Sequence, residues 1–300
     1  MIDFNEPLLA DKKRADDIFQ NGDYRANDYC FGNLFIWRKK SDTKLAFHKG
    51  FVIVSFKSGG KNMYLYPAGK GDRAEVLRDM RQDAFEHGSS LTIACLTPLM
   101  REELEAIAPG GFEYTPDRRI YDYIYNTTDL IDLKGRKYHS KRNHITRFKA
   151  LGEWSYEDMG PINVQECREM NDQWCMENGC GEDMGLQEEY GAVRQALKNF
   201  EALGFAGGIL RLYGKIVAFT LGERLCSDTF DVHIEKAFSR VDGAYTTINN
   251  EFVSHNCKLY RYVNREEDTG DEGLRKAKLS YQPAILLEKS IAVLKEGFAL

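Results

Sequence analysis

The chain has 300 residues, of which 43% are hydrophobic and 12% aromatic, and its formal net charge is −5. This composition excludes a disordered chain, and the length suffices for two domains. Mild net acidity argues against a DNA-coating protein, whose surface is normally basic throughout. No segment has the apolar length of a transmembrane helix, so we expect none.

Seven cysteines are present, an odd number, and none of them has the CxxC spacing of a metal site. The N-terminal sequence has early acidic residues and no apolar core, so we expect no signal peptide and a cytoplasmic location. In a reducing compartment the cysteines are expected to be free thiols. Cys175 and Cys180 are spaced for a redox or metal pair, but no histidine lies near them, and we expect no bound metal.

The first half of the chain alternates helical and extended patterns in a way that is typical of a mixed α/β domain. Gly-rich turns separate its short strands. We predict helices at 7–20, 29–37, 72–87 and 98–108, and strands at 44–48, 51–56, 63–66, 90–96 and 112–125.

A cluster of positive charge follows at 134–148, KGRKYHSKRNHITRF, which contains no acidic residue. As a helix, this segment has one narrow apolar stripe, formed by Tyr138, Ile145 and Phe148. Cations in the first turns oppose the helix dipole, and no acid lies at the i+4 positions to pair with them. The segment is either a solvated surface face or a binding site for a phosphate group, and we favour the phosphate.

The second half predicts a mixed sheet, because three antiparallel strands are followed by a helix and a further strand. The Tyr213-Gly214 pair predicts the turn of a hairpin. Thr269 and Glu272 form a possible capping box for a last helix that ends before Pro283. We predict helices at 164–178 and 187–203, a hairpin at 207–225, strands at 228–237 and 258–264, a loop that opens into a helix within 240–256, and two domains, 1–135 and 136–300.

The loop Arg240-Val-Asp-Gly243 opens the helix within 240–256. It resembles the pyrophosphate-binding loop of the GNAT superfamily of acyl-CoA N-acyltransferases, in which backbone N–H groups at a helix N-terminus hold an anion. Tyr245 stands where that loop has a small residue, which makes coenzyme A a less favoured ligand. An ordinary loop is the alternative interpretation.

The segment 263–281, VNREEDTGDEGLRKAKLSY, concentrates acids between basic residues. The alternating acids of a calcium-binding loop are absent. Capping and surface ion pairs account for Asp271 and Glu272. They do not account for the Asn264-Arg265-Glu266 sequence, which lies at the carboxyl end of a predicted strand, where α/β sheets tend to bind ligands.

Four motifs together, KGRKYHSKRNHITRF, HIEKA, NREEDTG and LRKAKLSYQP, resemble the bacterial family named for the C-terminal domain of phosphatidylglycerol lysyltransferase. The resemblance spans essentially the full chain. It implies two tandem GNAT-like α/β domains related to the Fem-type transferases, which take an amino acid from charged tRNA. It also implies acyl or aminoacyl transfer, a reaction that needs a base, donors for the tetrahedral oxyanion and a phosphate-binding surface.

These requirements define the predicted site. Glu235, with His233 on the same strand face, is the predicted base, and Tyr281 is predicted to return a proton to the leaving group. The residues predicted to bind the phosphates of the donor are Arg136, Lys137, Lys141, Arg142, Arg240, Gly243, Arg275 and Lys278. The residues predicted to bind the acceptor and its ammonium group are Asn264, Arg265, Glu266 and Asp268. Four of these residues are expected to line one pocket of mixed charge, namely Arg142, Glu235, Arg265 and Lys278.

The predicted function is transfer of an acyl group from aminoacyl-tRNA to an amine or hydroxyl group of a small molecule, peptide or lipid headgroup. No tightly bound cofactor and no DNA partner are expected. The first alternative is an N-acetyltransferase that uses acetyl-CoA. The second is a catalytically silent RNA-binding or regulatory module with the same fold.

Overall fold

The computed structural model describes residues 2–300 and has the mixed α/β content predicted from the sequence. The helices are α1 Lys12–Gly22, α2 Phe31–Trp37, α3 Arg73–Glu86, α4 Pro98–Ile107, α5 Thr127–Asp132, α6 His139–Lys149, α7 Val164–Glu177, α8 Met184–Lys198, α9 Ala244–Asn256 and α10 Glu272–Leu279. The strands are β1 Lys44–His48, β2 Phe51–Ser58, β3 Lys61–Leu65, β4 Ala68–Gly69, β5 Thr92–Leu96, β6 Phe112–Pro116, β7 Asp122–Asn126, β8 Trp154–Asp158, β9 Ala206–Leu212, β10 Lys215–Arg224, β11 Thr229–Ala237, β12 Tyr262–Asn264, β13 Ile285–Leu287 and β14 Ser290–Leu294.

The chain divides into two compact units that are not continuous in sequence. The first comprises the chain up to Asp122 with Glu267–Arg275 and Leu286–Leu300, and the second comprises Tyr123–Glu266 with Lys276–Ile285. This division does not coincide with the predicted boundary between 135 and 136. The reason is long-range strand pairing: β14, near the C-terminus, pairs with β5 and β6, and β7 pairs with β12.

The segment predicted as one strand at 112–125 is two strands, β6 and β7, which belong to different sheets. A short 3-10 turn at Arg118–Ile120 separates them. Pro116 ends β6, and a proline cannot donate a backbone hydrogen bond to a neighbouring strand. The Asp117 side chain then caps the turn by accepting a hydrogen bond from the backbone N–H of Arg119 at 3.0 Å.

In the first unit the strand order is β1-β2-β3-β5-β14-β6, with β4 paired to β2. The pair β3–β5 is parallel, and the other registers are antiparallel. A parallel pair needs a crossover connection, which α3 supplies between β3 and β5. Helix α3 buries an apolar face of Val76, Leu77, Met80 and Ala84.

In the second unit the strand order is β7-β12-β11-β10-β9-β8. The strands β11 and β12 are parallel and are connected through α9. The predicted hairpin is β9 and β10, and its turn residues Tyr213 and Gly214 have φ of 51° and 74°. Positive φ at both positions is the geometry of a two-residue hairpin turn of type I′. The edge strand β8 was not predicted; it pairs with β9.

The cysteines follow the prediction only in part. Cys175 and Cys180 form a disulfide at the end of α7, so the expectation of seven free thiols is wrong for this pair. The other five cysteines are buried. Across residues 2–300, no helix combines the length and the apolar character needed to cross a membrane.

Candidate active site

The carboxylate of Glu235 is the centre of a group of charged and aromatic side chains in the second unit. Glu235 lies on β11, and its Oε1 accepts a hydrogen bond from Nη2 of Arg265 at 2.9 Å. Its Oε2 accepts a hydrogen bond from Nδ2 of Asn249, on α9, also at 2.9 Å. The side chains of Glu235 and Arg265 are only 13% and 12% exposed. Both oxygens of the predicted base are therefore already hydrogen-bonded.

Arg265, the residue after β12, packs its guanidinium against two aromatic rings. The guanidinium carbon lies 4.8 Å from the ring centroid of Tyr281 and 5.8 Å from that of Tyr125. The Nζ of Lys278 donates a hydrogen bond to the backbone oxygen of Arg265 at 2.6 Å. Within residues 2–300, Nη1 of Arg265 is buried and has no hydrogen-bond partner, and the same holds for Oδ1 of Asn249. Two buried polar atoms beside Glu235 thus have no hydrogen-bond partner within the described residues.

Tyr281, just after α10, closes this group. Its side chain is buried, and its ring is nearly perpendicular to that of Tyr125, with centroids 6.3 Å apart. Burial raises the pKa of the Tyr281 hydroxyl, and the positive charge of Arg265 opposes this shift. The hydroxyl therefore carries its proton at neutral pH. The backbone oxygen of Tyr281 accepts a hydrogen bond from the hydroxyl of Tyr138 at 3.0 Å, which joins this segment to the start of α6.

Helix α6 contributes Lys141. Its ammonium nitrogen lies 3.7 Å from the ring centroid of Tyr281. The pKa of Lys141 is lowered to about 8, mainly by burial and also by the charge of Arg265, while the carboxylate of Glu235 opposes both effects. We refer to Lys141, Glu235, Asn249, Arg265 and Tyr281 as the Glu235 cluster.

Arg142, the next residue along α6, does not join the Glu235 cluster as predicted. Its guanidinium donates hydrogen bonds to the backbone oxygens of Leu133 and Gly135 instead. These carbonyls follow α5, so Arg142 fixes the connection between α5 and α6. Of the four residues expected to share a pocket, Glu235, Arg265 and Lys278 lie together, and Lys141 takes the place expected for Arg142.

Most other cations of the basic segment 134–148 pair with acids from outside it. The predicted phosphate-binding residue Lys137 lies 3.8 Å from Asp129, and Arg147 lies 3.0 Å from Asp242. Ion pairs with acids on other elements cannot be predicted from the i+4 spacing within one helix. Arg136 is exposed and has no ion pair within the described chain.

The remaining predicted acceptor residues form two further groups. In the second unit, buried Asn264 accepts a hydrogen bond from the backbone N–H of Glu266 at 2.7 Å, and Oε1 of Glu266 lies 2.9 Å from Nδ1 of His233. In the first unit, the carboxylate of Asp268 is bidentate with Arg275 at 2.8 and 2.9 Å. Asp268 and Arg275 thus neutralise each other rather than facing an acceptor and a phosphate.

The predicted phosphate loop opens α9 at Gly243, which has φ of 77°. A Cβ atom at this position would lie 2.1 Å from the backbone oxygen of His144, so Gly243 allows α6 to approach the loop closely. Arg240, also in the loop, pairs with Glu177 at 3.3 Å, and its side chain stays 52% exposed. The glycine is explained by backbone packing, whereas the arginine remains accessible.

Gly243→Ala is expected to lower the free energy of unfolding by roughly 2–4 kcal/mol, because it adds a steric clash to the cost of a left-handed residue. Gly214→Ala is the matched control, since Gly214 has φ of 74° and nothing within 4 Å of its Cβ position. Chemical denaturation of both variants should show the larger loss for Gly243→Ala. Equal losses would mean that the contact with His144 carries no cost.

Asn249 and Tyr125 contact the site but were not predicted. Asn249 lies on the buried face of α9 with Phe252 and Val253, three and four positions later. A polar amide on an apolar helix face is a signal that the sequence does contain. Tyr125 is one of three closely spaced tyrosines, and nothing local indicates which of them contacts Tyr281.

The sequence model of the family "Phosphatidylglycerol lysyltransferase, C-terminal" matches residues 20–293. The chain belongs to this family. The relationship inferred from the four motifs is therefore confirmed. No curated protein matches the chain significantly.

Solved structures of three proteins resemble this member of the lysyltransferase C-terminal family. A conserved protein of unknown function from Bacteroides thetaiotaomicron VPI-5482 has 44% identity and a TM-score of 0.93, over 98% of this chain and 100% of that one. L-PGS from Bacillus licheniformis has 16% identity and a TM-score of 0.61, over 88% of this chain and 91% of that one. FemX has 8% identity and a TM-score of 0.56, over 96% of this chain and 97% of that one. The fold is that of tandem GNAT-like domains, as predicted.

Proposed function

We propose that this member of the lysyltransferase C-terminal family transfers an aminoacyl group from charged tRNA to an amine or hydroxyl acceptor. The observation that supports this most is the Glu235 cluster, in which two buried polar atoms without partners flank an anchored carboxylate. With charged tRNA as the donor, the reaction would take place in the cytoplasm.

The chemistry of transfer assigns a role to each part of the cluster. The acceptor nitrogen or oxygen attacks the ester carbon, so that one bond to this carbon forms and the ester bond to the ribose oxygen breaks. The unpaired Nη1 of Arg265 is a donor suited to the oxyanion of the tetrahedral intermediate. The protonated hydroxyl of Tyr281 gives a proton to the departing ribose oxygen. The proton released by the acceptor replaces it through the base of the site.

Recognition of the aminoacyl group is assigned to the acceptor atoms of the cluster. The unpaired Oδ1 of Asn249 and the carboxylate of Glu235 are both able to accept hydrogen bonds from an α-ammonium group. An acetyl group carries no ammonium and would leave Oδ1 of Asn249 unpaired. The cost of an unsatisfied buried acceptor, about 1–3 kcal/mol, favours an aminoacyl donor.

The phosphates of the donor are assigned to exposed cations of the second unit, namely Arg136, Lys137 and Arg240. The last two have acidic partners, but exposed ion pairs contribute only about 0–1 kcal/mol, so that a phosphate can replace the partner. Coenzyme A is less favoured because Tyr245, 39% exposed near the start of α9, stands where the coenzyme loop has a small residue.

Donor choice is tested by incubating the protein with bulk aminoacyl-tRNA or with acetyl-CoA. Peptides, free amino acids and phosphatidylglycerol vesicles are supplied in turn as acceptors. We expect loss of aminoacyl ester with matching mass gain in one acceptor, and no acetylation. Acetylation from acetyl-CoA alone would support the coenzyme A-dependent enzyme instead. Binding of RNA without any transfer would support the silent module.

Arg136→Glu combined with Lys137→Glu is expected to weaken tRNA binding and to reduce by about two the slope of log affinity against log salt, since each residue neutralises one phosphate. The melting temperature should not change, because both side chains are largely exposed. Filter binding at several salt concentrations measures the slope. Arg142→Glu is the matched control: it should lower the melting temperature, because it removes two hydrogen bonds to backbone oxygens. Unchanged affinity in the double variant would show that the basic segment does not contact the donor.

A further inference from the structure

Lys141 differs from its neighbours on α6 in what its ammonium group contacts. Arg147 and Lys149 pair with Asp242 and Glu251 at 3.0 and 3.1 Å. Arg142 binds backbone oxygens. Lys141 instead points at the face of the Tyr281 ring and has no ion pair or hydrogen bond in the described part of the chain. An aromatic face attracts a cation but cannot accept its proton, so the lysine is held without a carboxylate that would keep it charged.

The charged groups around Lys141 oppose one another. Arg265 packs on the same Tyr281 ring and repels a charged lysine, whereas Glu235 attracts one. Both oxygens of Glu235 are, however, engaged by Arg265 and Asn249. Lys137 lies one turn earlier, with its ammonium 3.8 Å from Asp129. Partial burial then favours the neutral amine, which explains a pKa of about 8.

We infer that Lys141, and not Glu235, is the base that takes the proton from the acceptor. This inference rests on the proposed transfer reaction. In the step, the neutral amine of Lys141 removes a proton from the acceptor as its nitrogen or oxygen bonds to the acyl carbon. The hydroxyl of Tyr281 protonates the departing ribose oxygen, and after transfer the ammonium of Lys141 gives up its proton to solvent while the Tyr281 phenolate takes one back. Protons and charges therefore balance over one turnover.

A base that operates near neutral pH needs a pKa near the working pH. An ordinary lysine is almost fully protonated there and is a poor base, and a carboxylate paired with an arginine is also a weak one. Lys141 meets the requirement because it is partly buried and lies near the positive charge of Arg265. No single neighbour produces this property, which is why the residue type alone does not reveal it.

The state of Lys141 can be measured without any substrate. Lysines of the full chain are converted to ¹³C-dimethyl-lysine and their NMR signals are followed from pH 6 to pH 11, with the Lys141 signal assigned by its absence in Lys141→Arg. We expect its midpoint near pH 8, well below the value of roughly 10.4 that is usual for a lysine. A midpoint within about half a unit of that usual value would overturn the inference and leave the proposed transfer reaction standing.

The role of Lys141 is tested by single-turnover transfer from aminoacyl-tRNA as a function of pH. The transfer rate should rise with pH and level off above about pH 8. In Lys141→Arg this rate should fall by about 10²-fold or more, while the affinity for tRNA should stay within about threefold of wild type. Lys215→Arg is the control and should keep both the rate and the profile. A Lys141→Arg variant with the wild-type profile would overturn the role of base. If the wild-type protein transfers from no donor, the proposed function fails and the role of base fails with it, whatever the titration shows.

Discussion

Lys289→Met is expected to lower the free energy of unfolding by about 3–5 kcal/mol, because it leaves the buried carboxylate of Asp122 and the partly buried one of Asp28 without their cation. Lys289 is 2% exposed. Its ammonium donates hydrogen bonds to Oδ1 of Asn27 at 2.6 Å, to Oδ2 of Asp28 at 2.6 Å and to Oδ1 of Asp122 at 2.7 Å. Burial opposes the charge of Lys289, but Asp122 and Asp28 outweigh it and raise its pKa well above the usual range.

The control for this change is Lys295→Met, in the same unit. Lys295 is exposed and donates one hydrogen bond to the backbone oxygen of Gly110. Urea denaturation, monitored by tryptophan fluorescence and by circular dichroism, should show a large loss for Lys289→Met and less than about 0.5 kcal/mol for Lys295→Met. A loss below 1 kcal/mol at Lys289 would mean that Asp28 and Asp122 take up protons or water at little cost.

Arg265→Lys is expected to reduce the rate of transfer by about 10²–10³-fold with little change in stability. The substitution keeps a positive charge beside Glu235, so no buried carboxylate is left alone. It removes the second guanidinium nitrogen, Nη1, which we assign to the oxyanion, and the loss of one such donor costs about 10²–10³ in turnover rate.

Arg261→Lys is the matched control for Arg265→Lys. Arg261 also packs on a tyrosine, at 4.9 Å from the ring centroid of Tyr262, but it is exposed. Single-turnover transfer with saturating aminoacyl-tRNA measures the effect on the chemical step apart from binding. If Arg265→Lys and Arg261→Lys have equal rates, Arg265 serves only to hold Glu235 in place.

The parts of the fold that were predicted from the sequence are those set by neighbouring residues. The Tyr213-Gly214 turn fixes a hairpin register through two positive φ angles, and the predicted strand at 44–48 is β1. The break between β6 and β7 was missed, although Pro116 indicates it. The division into units was missed for another reason: β14 joins β5 and β6, which lie far earlier in the chain, and no local pattern indicates such a pairing.

The candidate site shows the same limit. Glu235, Arg265 and Tyr281 were predicted because they lie in motifs at strand and helix ends. The sequence did not show that the cations on α6 meet acids from other elements. It also gave no reason to separate Lys141 from Arg142, which are adjacent on the same helix. Their difference depends on which side of α6 faces Tyr281, and burial then decides the charge of Lys141.

The most direct test of the account is transfer of isotopically labelled amino acids from a bulk pool of charged tRNA into a pool of acceptors, by wild type, Arg265→Lys and Arg261→Lys. We expect labelled product from wild type and Arg261→Lys, and at least about 10²-fold less product from Arg265→Lys. If the acceptor is an amine, the product resists the mild alkali that cleaves aminoacyl-tRNA. Equal product from all three proteins, or product from acetyl-CoA but not from charged tRNA, would contradict the assignment of the Glu235 cluster as an aminoacyl-transfer site.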